Sequence, residues 1–213
     1  AANGNKADKL VILLHGWGSN ANDLMSLAPH FAQVLPDAHF IAPNGPEVCE
    51  EMENSYRWFP LDSMDQSYII KQIKRLNVVL DNFIDKQLKR LYISDRNLIL
   101  IGFSQGAMMS LHTGIRREIE PMGIISYSGL LPETKESLDL SLKCKPDILM
   151  VHGTKDQVIP YDQIYYAEKL LGMFDIKIQT EAIFGLGHAI NGEAIEYGKH
   201  SKGLPRYICL DQE

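Results

Sequence analysis

Gly102-Phe103-Ser104-Gln105-Gly106 is a serine with a glycine two residues to either side, and it follows the apolar run Asn97–Ile101. A serine hydroxyl is a weak nucleophile until a base removes its proton, so the base must reach the oxygen unobstructed. A sharp turn from strand into helix lifts the side chain clear of the backbone, and a Cβ at either glycine would clash across so tight a turn. A helix starting at Gln105 aims its N-terminal amides, and the positive end of its dipole, at charge forming on a substrate. The pentapeptide alone also fits a chemically idle Gly/Ser turn. The strand before it and the helical pattern after it single out Ser104 as a nucleophile.

In such a strand–turn–helix arrangement the acid and then the histidine follow the serine along the chain. Seven histidines compete for the base. His15 and His152 each precede a glycine at a strand end, where an imidazole more often props a loop. His112 falls on the helix after Ser104 and is expected against the sheet, while His30, His39 and His200 read as surface or satisfied polar groups. His188, in Phe184-Gly185-Leu186-Gly187-His188, follows the last strand in a loop whose glycines let it bend toward Ser104. The acid is Asp156, in the loop leaving the run Asp147–Val151, where it would hold the imidazole tautomer and stabilise the imidazolium formed during attack. Its weaker rivals are Asp147, which enters its strand at the wrong sheet edge, Asp162, which opens a helix, and Asp175. Catalysis by neutral imidazole predicts activity rising with pH through the His188 titration.

The loop His15-Gly16-Trp17-Gly18 follows the first strong strand. The backbone N–H of Trp17, with that of Gln105, is a candidate oxyanion hole, and the Trp17 side chain would then flank the pocket mouth. A glycine-rich turn without this role is the alternative.

These residues need a frame that puts strand ends together. Lys9–Leu14, His39–Ala42, Asn97–Ile101, Met122–Tyr127, Asp147–Val151 and Lys177–Ile183 read as six strands. Helical spacing runs over Ser67–Leu91, where Ile69, Ile70, Ile73, Leu76, Leu80, Phe83, Ile84 and Leu88 share one face, and over Gln105–Arg117 and Tyr161–Phe174. Apolar strands alternating with amphipathic helices predict an α/β fold, a mainly parallel sheet covered on both faces, with ligands beyond the carboxyl ends of the strands.

At 213 residues the chain fits a single domain (1–213), with 1–8 as an N-terminal extension and 198–213 as a tail. A formal charge of −6 argues against nucleic acid as a partner and weakens electrostatic docking on an anionic membrane. No apolar run approaches the roughly 20 residues that span a bilayer, so no stable membrane insertion is expected. Ala1–Lys9 does not read as a signal peptide, though a leader trimmed before Ala1 stays open. Cys49, Cys144 and Cys209 lack metal-ligand spacing; no metal is expected, and the odd count reads as reduced thiols in a cytoplasmic setting.

With those residues in place, the chain resembles the phospholipase/carboxylesterase family, small lidless α/β-hydrolases that include acyl-protein thioesterases and bacterial carboxylesterases. The likeness runs from about Lys9 to about Tyr197. It rests on Leu14–Gly18, Ala42-Pro43-Asn44, Arg57-Trp58-Phe59, Gly102–Ala107, Ser128–Pro132, His152–Asp156 with Val158-Ile159-Pro160, and Gly187-His188. It implies hydrolysis of small-molecule or lipid-like acyl esters or thioesters through an acyl-enzyme, with no cofactor. By position it implies that Trp58 lines the acyl site, with Leu130 and Val158 beside it. Read without the family, Trp58 and Phe59 equally suit a packing cluster under a loop.

Two departures stand out. Trp17 replaces the aliphatic residue of many relatives, and after Tyr197 the chain turns polar, so a last helix should stop early. Residues 206–213 fit cover of another surface, pairing in a homodimer, or disorder. The rival functions are a neighbouring acyl-transfer enzyme (lysophospholipase or peptidase) and a non-catalytic module that uses the same pocket to bind.

Overall fold

The computed structural model of the chain describes residues 1, 3–50, 52–63, 65–176, 178–202 and 204. Six strands, β1 (Lys9–Leu14), β2 (Ala38–Ile41), β5 (Leu98–Phe103), β6 (Gly123–Tyr127), β7 (Ile148–Gly153) and β8 (Ile178–Ile183), form one sheet in the order β2-β1-β5-β6-β7-β8. Every neighbouring pair in it is parallel. All six coincide with the apolar runs read from the sequence, differing by a residue or two at their ends. β5 extends beyond Ile101 because Gly102 and Phe103 keep pairing with Ser126 and Tyr127.

The chain moves from β1 to the edge strand β2 and later returns on the other side of β1 to lay down β5. The order therefore reverses between β1 and β5, where open parallel sheets leave a crevice beyond their carboxyl ends.

Side chains along each strand alternate between two cores, as a period of two requires. Leu10, Ile12, Leu14, Leu98, Leu100, Ile124, Ile148 and Met150 meet the long helix α3 (Gln66–Leu91), α4 (Gln105–Gly114), α5 (Lys135–Ser141) and α6 (Gln163–Gly172). Val11, Leu13, Ile99, Ile101, Ile125, Leu149 and Val151 face α1 (Ala21–Met25), α2 (Ala28–Ala32) and α7 (Gly192–Lys199). The helices therefore cover both faces. α7 buries Ala194, Ile195 and Gly198 and is capped at His200, the early stop expected of the polar segment after Tyr197.

A two-stranded antiparallel pair, β3 (Glu47–Val48) and β4 (Tyr56–Arg57), lies outside the main sheet and was not foreseen. It carries the Arg57-Trp58-Phe59 segment back toward the β1 loop, where Tyr56 bridges Ser19. Among the described residues no helix is long and apolar enough to cross a membrane. Residues 206–213, with Cys209, lie outside the described residues; Cys49 and Cys144 are free and buried.

Candidate active site

Ser104 sits between β5 and α4 with φ 54° and ψ −117°, a backbone conformation that a residue with a Cβ rarely adopts. The flanking glycines make it possible. A Cβ on Gly102 would lie 2.3 Å from the carbonyl oxygen of Gly106, and one on Gly106 would lie 2.0 Å from that of Leu14. The turn is fixed to the next strand by the Ser104 N–H, which donates to Tyr127 O at 2.9 Å.

The structure brings Ser104, His188 and Asp156 into one hydrogen-bonded line, from three different loops at the carboxyl edge of the sheet. Ser104 Oγ lies 2.9 Å from His188 Nε2, and His188 Nδ1 lies 2.8 Å from Asp156 Oδ2. The other carboxylate oxygen, Oδ1, accepts the N–H groups of Val158 and Ile159, each at 2.9 Å. Burial works to raise the Asp156 pKa, but the bond from His188 and those from Ile159 and Val158 outweigh it, so the carboxyl is held below its ordinary value. An ionised Asp156 accepts from His188 Nδ1–H, which leaves Nε2 free to take the serine proton. Phe103 packs on the His188 ring, with centroids 4.9 Å apart.

The two histidines read as loop props are buried. His15 donates from Nδ1 to Gly16 O at 2.7 Å and accepts the Gly45 N–H on Nε2 at 2.8 Å. That pairing uses the neutral ring, and burial pushes its pKa down. His152 Nε2 lies 2.9 Å from Ile159 O and 3.1 Å from Asp156 Oδ2, so this imidazole packs on the carboxylate from a second side. Its pKa is also lowered by burial. His112 is buried too, and gives its Nδ1–H to Glu133 at 2.5 Å.

Trp17 N–H and Gln105 N–H donate to no other group among the described residues. Gly16 packs beside Ser104: a Cβ there would lie 3.3 Å from Ser104 Cβ. The Trp17 side chain is part-exposed at 39%. Trp58 is only 3% exposed, packed in the core below the β1 loop, with its indole N–H donated to His15 O at 2.9 Å. Leu130 lines a cavity of about 590 Å³ together with Gln66, Ile69, Leu131, Pro160 and Tyr166. That cavity lies between the loop after β6 and the loop that carries Asp156. Val158, on the latter loop, is 57% exposed. No group of three or more His, Cys, Asp or Glu among the described residues is placed to share a metal ion.

Sequence reasoning missed the Gln105 side chain, whose Oε1 accepts the Trp58 N–H at 2.8 Å and whose Nε2 donates to Phe59 O at 2.7 Å. The signal was its place beside Ser104. Its partners depend on the path of residues 55–59, which no periodicity marks.

A parallel sheet with a strained serine at the turn from strand to helix, beyond the point where strand order reverses, defines the α/β-hydrolase class. The chain belongs to the Phospholipase/Carboxylesterase family, which matches residues 1–201, and as a member it is an ester-cleaving hydrolase. It is similar to the crystal structure of esterase PE8, with a TM-score of 0.88 and 34% identity over 94% of this chain and 93% of that one. Acyl-protein thioesterase 1 of Candida albicans is 28% identical over 211 residues, covering 91% of this chain and 90% of that protein. Esterase YpfH of Escherichia coli K12 is 25% identical, covering 90% and 80% respectively.

Proposed function

We propose that the chain hydrolyses carboxylic esters or thioesters of acyl chains through a Ser104–His188–Asp156 triad and an acyl-enzyme. The observation that carries this reading is the unbroken line from Ser104 Oγ through the His188 ring to Asp156 Oδ2. His188 Nε2 takes the hydroxyl proton as Ser104 Oγ attacks the acyl carbonyl carbon. The carbonyl electron pair moves to oxygen, where the N–H groups of Trp17 and Gln105 stabilise it. Collapse expels the alcohol or thiol with the proton from His188, and a water activated in the same way releases the acid and frees Ser104. The cavity bounded by Ile69, Leu130 and Leu131 suits the acyl chain, because its walls are mostly apolar and its rim shares the Asp156 loop. Val158 and Trp17 flank the way in.

Relatives named acyl-protein thioesterase make an acyl thioester a candidate substrate beside a simple ester, and a chain-length series of esters and thioesters distinguishes the two. The two buried free thiols are in keeping with a reducing, cytoplasmic setting. The test of the nucleophile is Ser104→Ala. Turnover of a p-nitrophenyl acyl ester and labelling by a fluorophosphonate should both vanish, with the unfolding transition retained. Turnover that survives the substitution would remove Ser104 from the mechanism, and a wild-type chain that neither turns over esters nor takes the label would be a binding module.

A further inference from the structure

The two oxyanion donors sit on separate pieces of chain, one after β1 and one at the start of α4. The sheet pairs Leu14 with Gly102, three residues before each donor, and beyond that register side chains tie the β1 loop to α4. Gln105 holds the main chain of Trp58 and Phe59 through both atoms of its amide, at 2.8 and 2.7 Å. Trp58 gives its indole N–H to the carbonyl of His15 at 2.9 Å, one peptide before the unit that carries the Trp17 N–H. Further along the same loop Gly18 N–H donates to Tyr56 O at 3.0 Å and Tyr56 N–H donates to Ser19 O at 2.7 Å. The His15 ring closes the base of the loop by joining Gly16 O to Gly45 N–H. Gln105 and Trp58 are 1% and 3% exposed, so these bonds form without competition from water.

We propose that the Gln105 side chain and the Trp58 indole are positioning residues: together they form a brace that fixes the spacing of the Trp17 and Gln105 N–H groups. The inference rests on the reading of those two N–H groups as the oxyanion hole of Ser104. An oxyanion hole works because its donors stand in place before charge develops, and a shift of about 1 Å costs roughly 100-fold in rate. Loosening the brace therefore weakens the transition state, while the acyl chain in its cavity is held as before. Apolar packing alone would fill the space under the loop equally well, so the polar atoms of both side chains are the distinguishing feature.

Trp58→Phe keeps an aromatic ring and removes the N–H; Gln105→Met keeps the length of the side chain and removes both amide bonds. Each variant is to be compared with wild type for kcat and KM per active site, titrated with a fluorophosphonate, and for inhibition by an acyl trifluoromethyl ketone. In that adduct Ser104 Oγ bonds to the ketone carbon, its proton passes to His188, and the carbonyl electron pair becomes an oxyanion in the hole. The expected result is a fall in kcat of about 10-fold to 100-fold, matched by loss of ketone affinity, with KM within about twofold. The pH midpoint of kcat/KM should stay in place, since base and acid are untouched. Unchanged kcat per titrated site would overturn the brace, as would a fall in kcat that the ketone affinity does not follow or that KM shares. Should Trp58→Phe fail to fold, Gln105→Met decides on the same readouts. Failure of the Ser104 reading is separate: it would appear in the wild type and in Ser104→Ala, neither of which alters the brace.

Discussion

Gly106 and Leu14 are in main-chain contact: a Cβ on the glycine would fall 2.0 Å from the Leu14 carbonyl oxygen and 2.6 Å from that of His15. The helix behind Ser104 and the strand leading to the Trp17 loop thus meet with only a hydrogen between them. Both opposing atoms belong to backbone, so neither can swing aside. Gly106→Ala should destabilise the fold by about 3 kcal/mol or more, at or above the upper end of ordinary overpacking, and should reduce ester turnover as α4 is pushed away. Urea unfolding with the two proteins side by side measures the first. An alanine variant of wild-type stability would mean that β1 and α4 separate more readily than this contact allows.

Asp156→Asn separates the two duties of the carboxylate. Oδ1 accepts two backbone N–H groups, from Val158 and Ile159, and an asparagine oxygen can do the same. The amide nitrogen then faces His188 Nδ1 and donates to it, which places the ring proton on Nε2 and blocks removal of the Ser104 proton. Turnover should fall by about 10⁴-fold with little change in melting temperature, the pattern expected when geometry survives and the tautomer is wrong. Activity within tenfold of wild type would show that Asp156 does not set the His188 tautomer.

Behind the cavity wall, Glu133 is fully buried and its carboxylate accepts hydrogen bonds from His112 at 2.5 Å, from Arg116 at 2.8 and 2.7 Å and from Ser137 at 2.5 Å. Burial alone would raise its pKa, but the bonds from His112 and Arg116 outweigh burial and bring the carboxyl from its ordinary 4.5 down to about 2. A carboxyl whose pKa is lowered on folding stabilises the fold fully above its unfolded value. That contribution is lost as pH falls from 4.5 toward about 2, and for this group it is about 3 kcal/mol. Glu133→Gln should therefore be less stable than wild type at pH 7 and should lose less on acidification through that window. Urea midpoints at pH 7, 4 and 3 test this. Parallel acid limbs in the two proteins would place the acid sensitivity elsewhere.

What could be read in the sequence follows from how each feature is encoded. The inner strands β1, β5, β6 and β7 are sandwiched between helices, so they appear as largely apolar runs such as Leu10–Leu14 and Leu98–Ile101. The edge strand β8, half-exposed along most of its length, was recognised by its position in the alternation more than by its pattern. α1 and α2 have only five residues each, and α1 shows itself mainly through its cap, Asn20, whose side chain accepts the N–H groups of Asn22 and Asp23. The β3–β4 pair contributes two residues per strand, too few for any period to register. Ser104, Asp156 and His188 were legible because each follows a strand and the sheet delivers strand ends to one edge. The Gln105–Trp58 bonds and the Glu133 cluster were not, since both join segments whose meeting depends on loop paths.

Arg117 shows the same dependence on distant segments and supports a further prediction. It lies just beyond α4, is 9% exposed, and meets Asp81 and Asp85 of α3 at 3.1 and 2.6 Å and Asp95 at 2.6 Å. Burial opposes its charge, but the bonds it donates to Asp85, Asp95 and Asp81 outweigh burial and raise its pKa further. One guanidinium thus ties the long helix α3 to the turn that enters β5. Removing it takes away the attraction and leaves three carboxylates facing each other, of which Asp85 is well exposed and returns readily to water. Arg117→Met should cost about 2 kcal/mol, less than the loss of a fully buried pair, because solvent and salt screen part of the repulsion. Adding 0.5 M NaCl should recover some of that loss in the variant, while kcat stays at the wild-type value because Arg117 touches none of the residues around Ser104. A variant as stable as wild type at low salt would show that α3 is held by its apolar face alone.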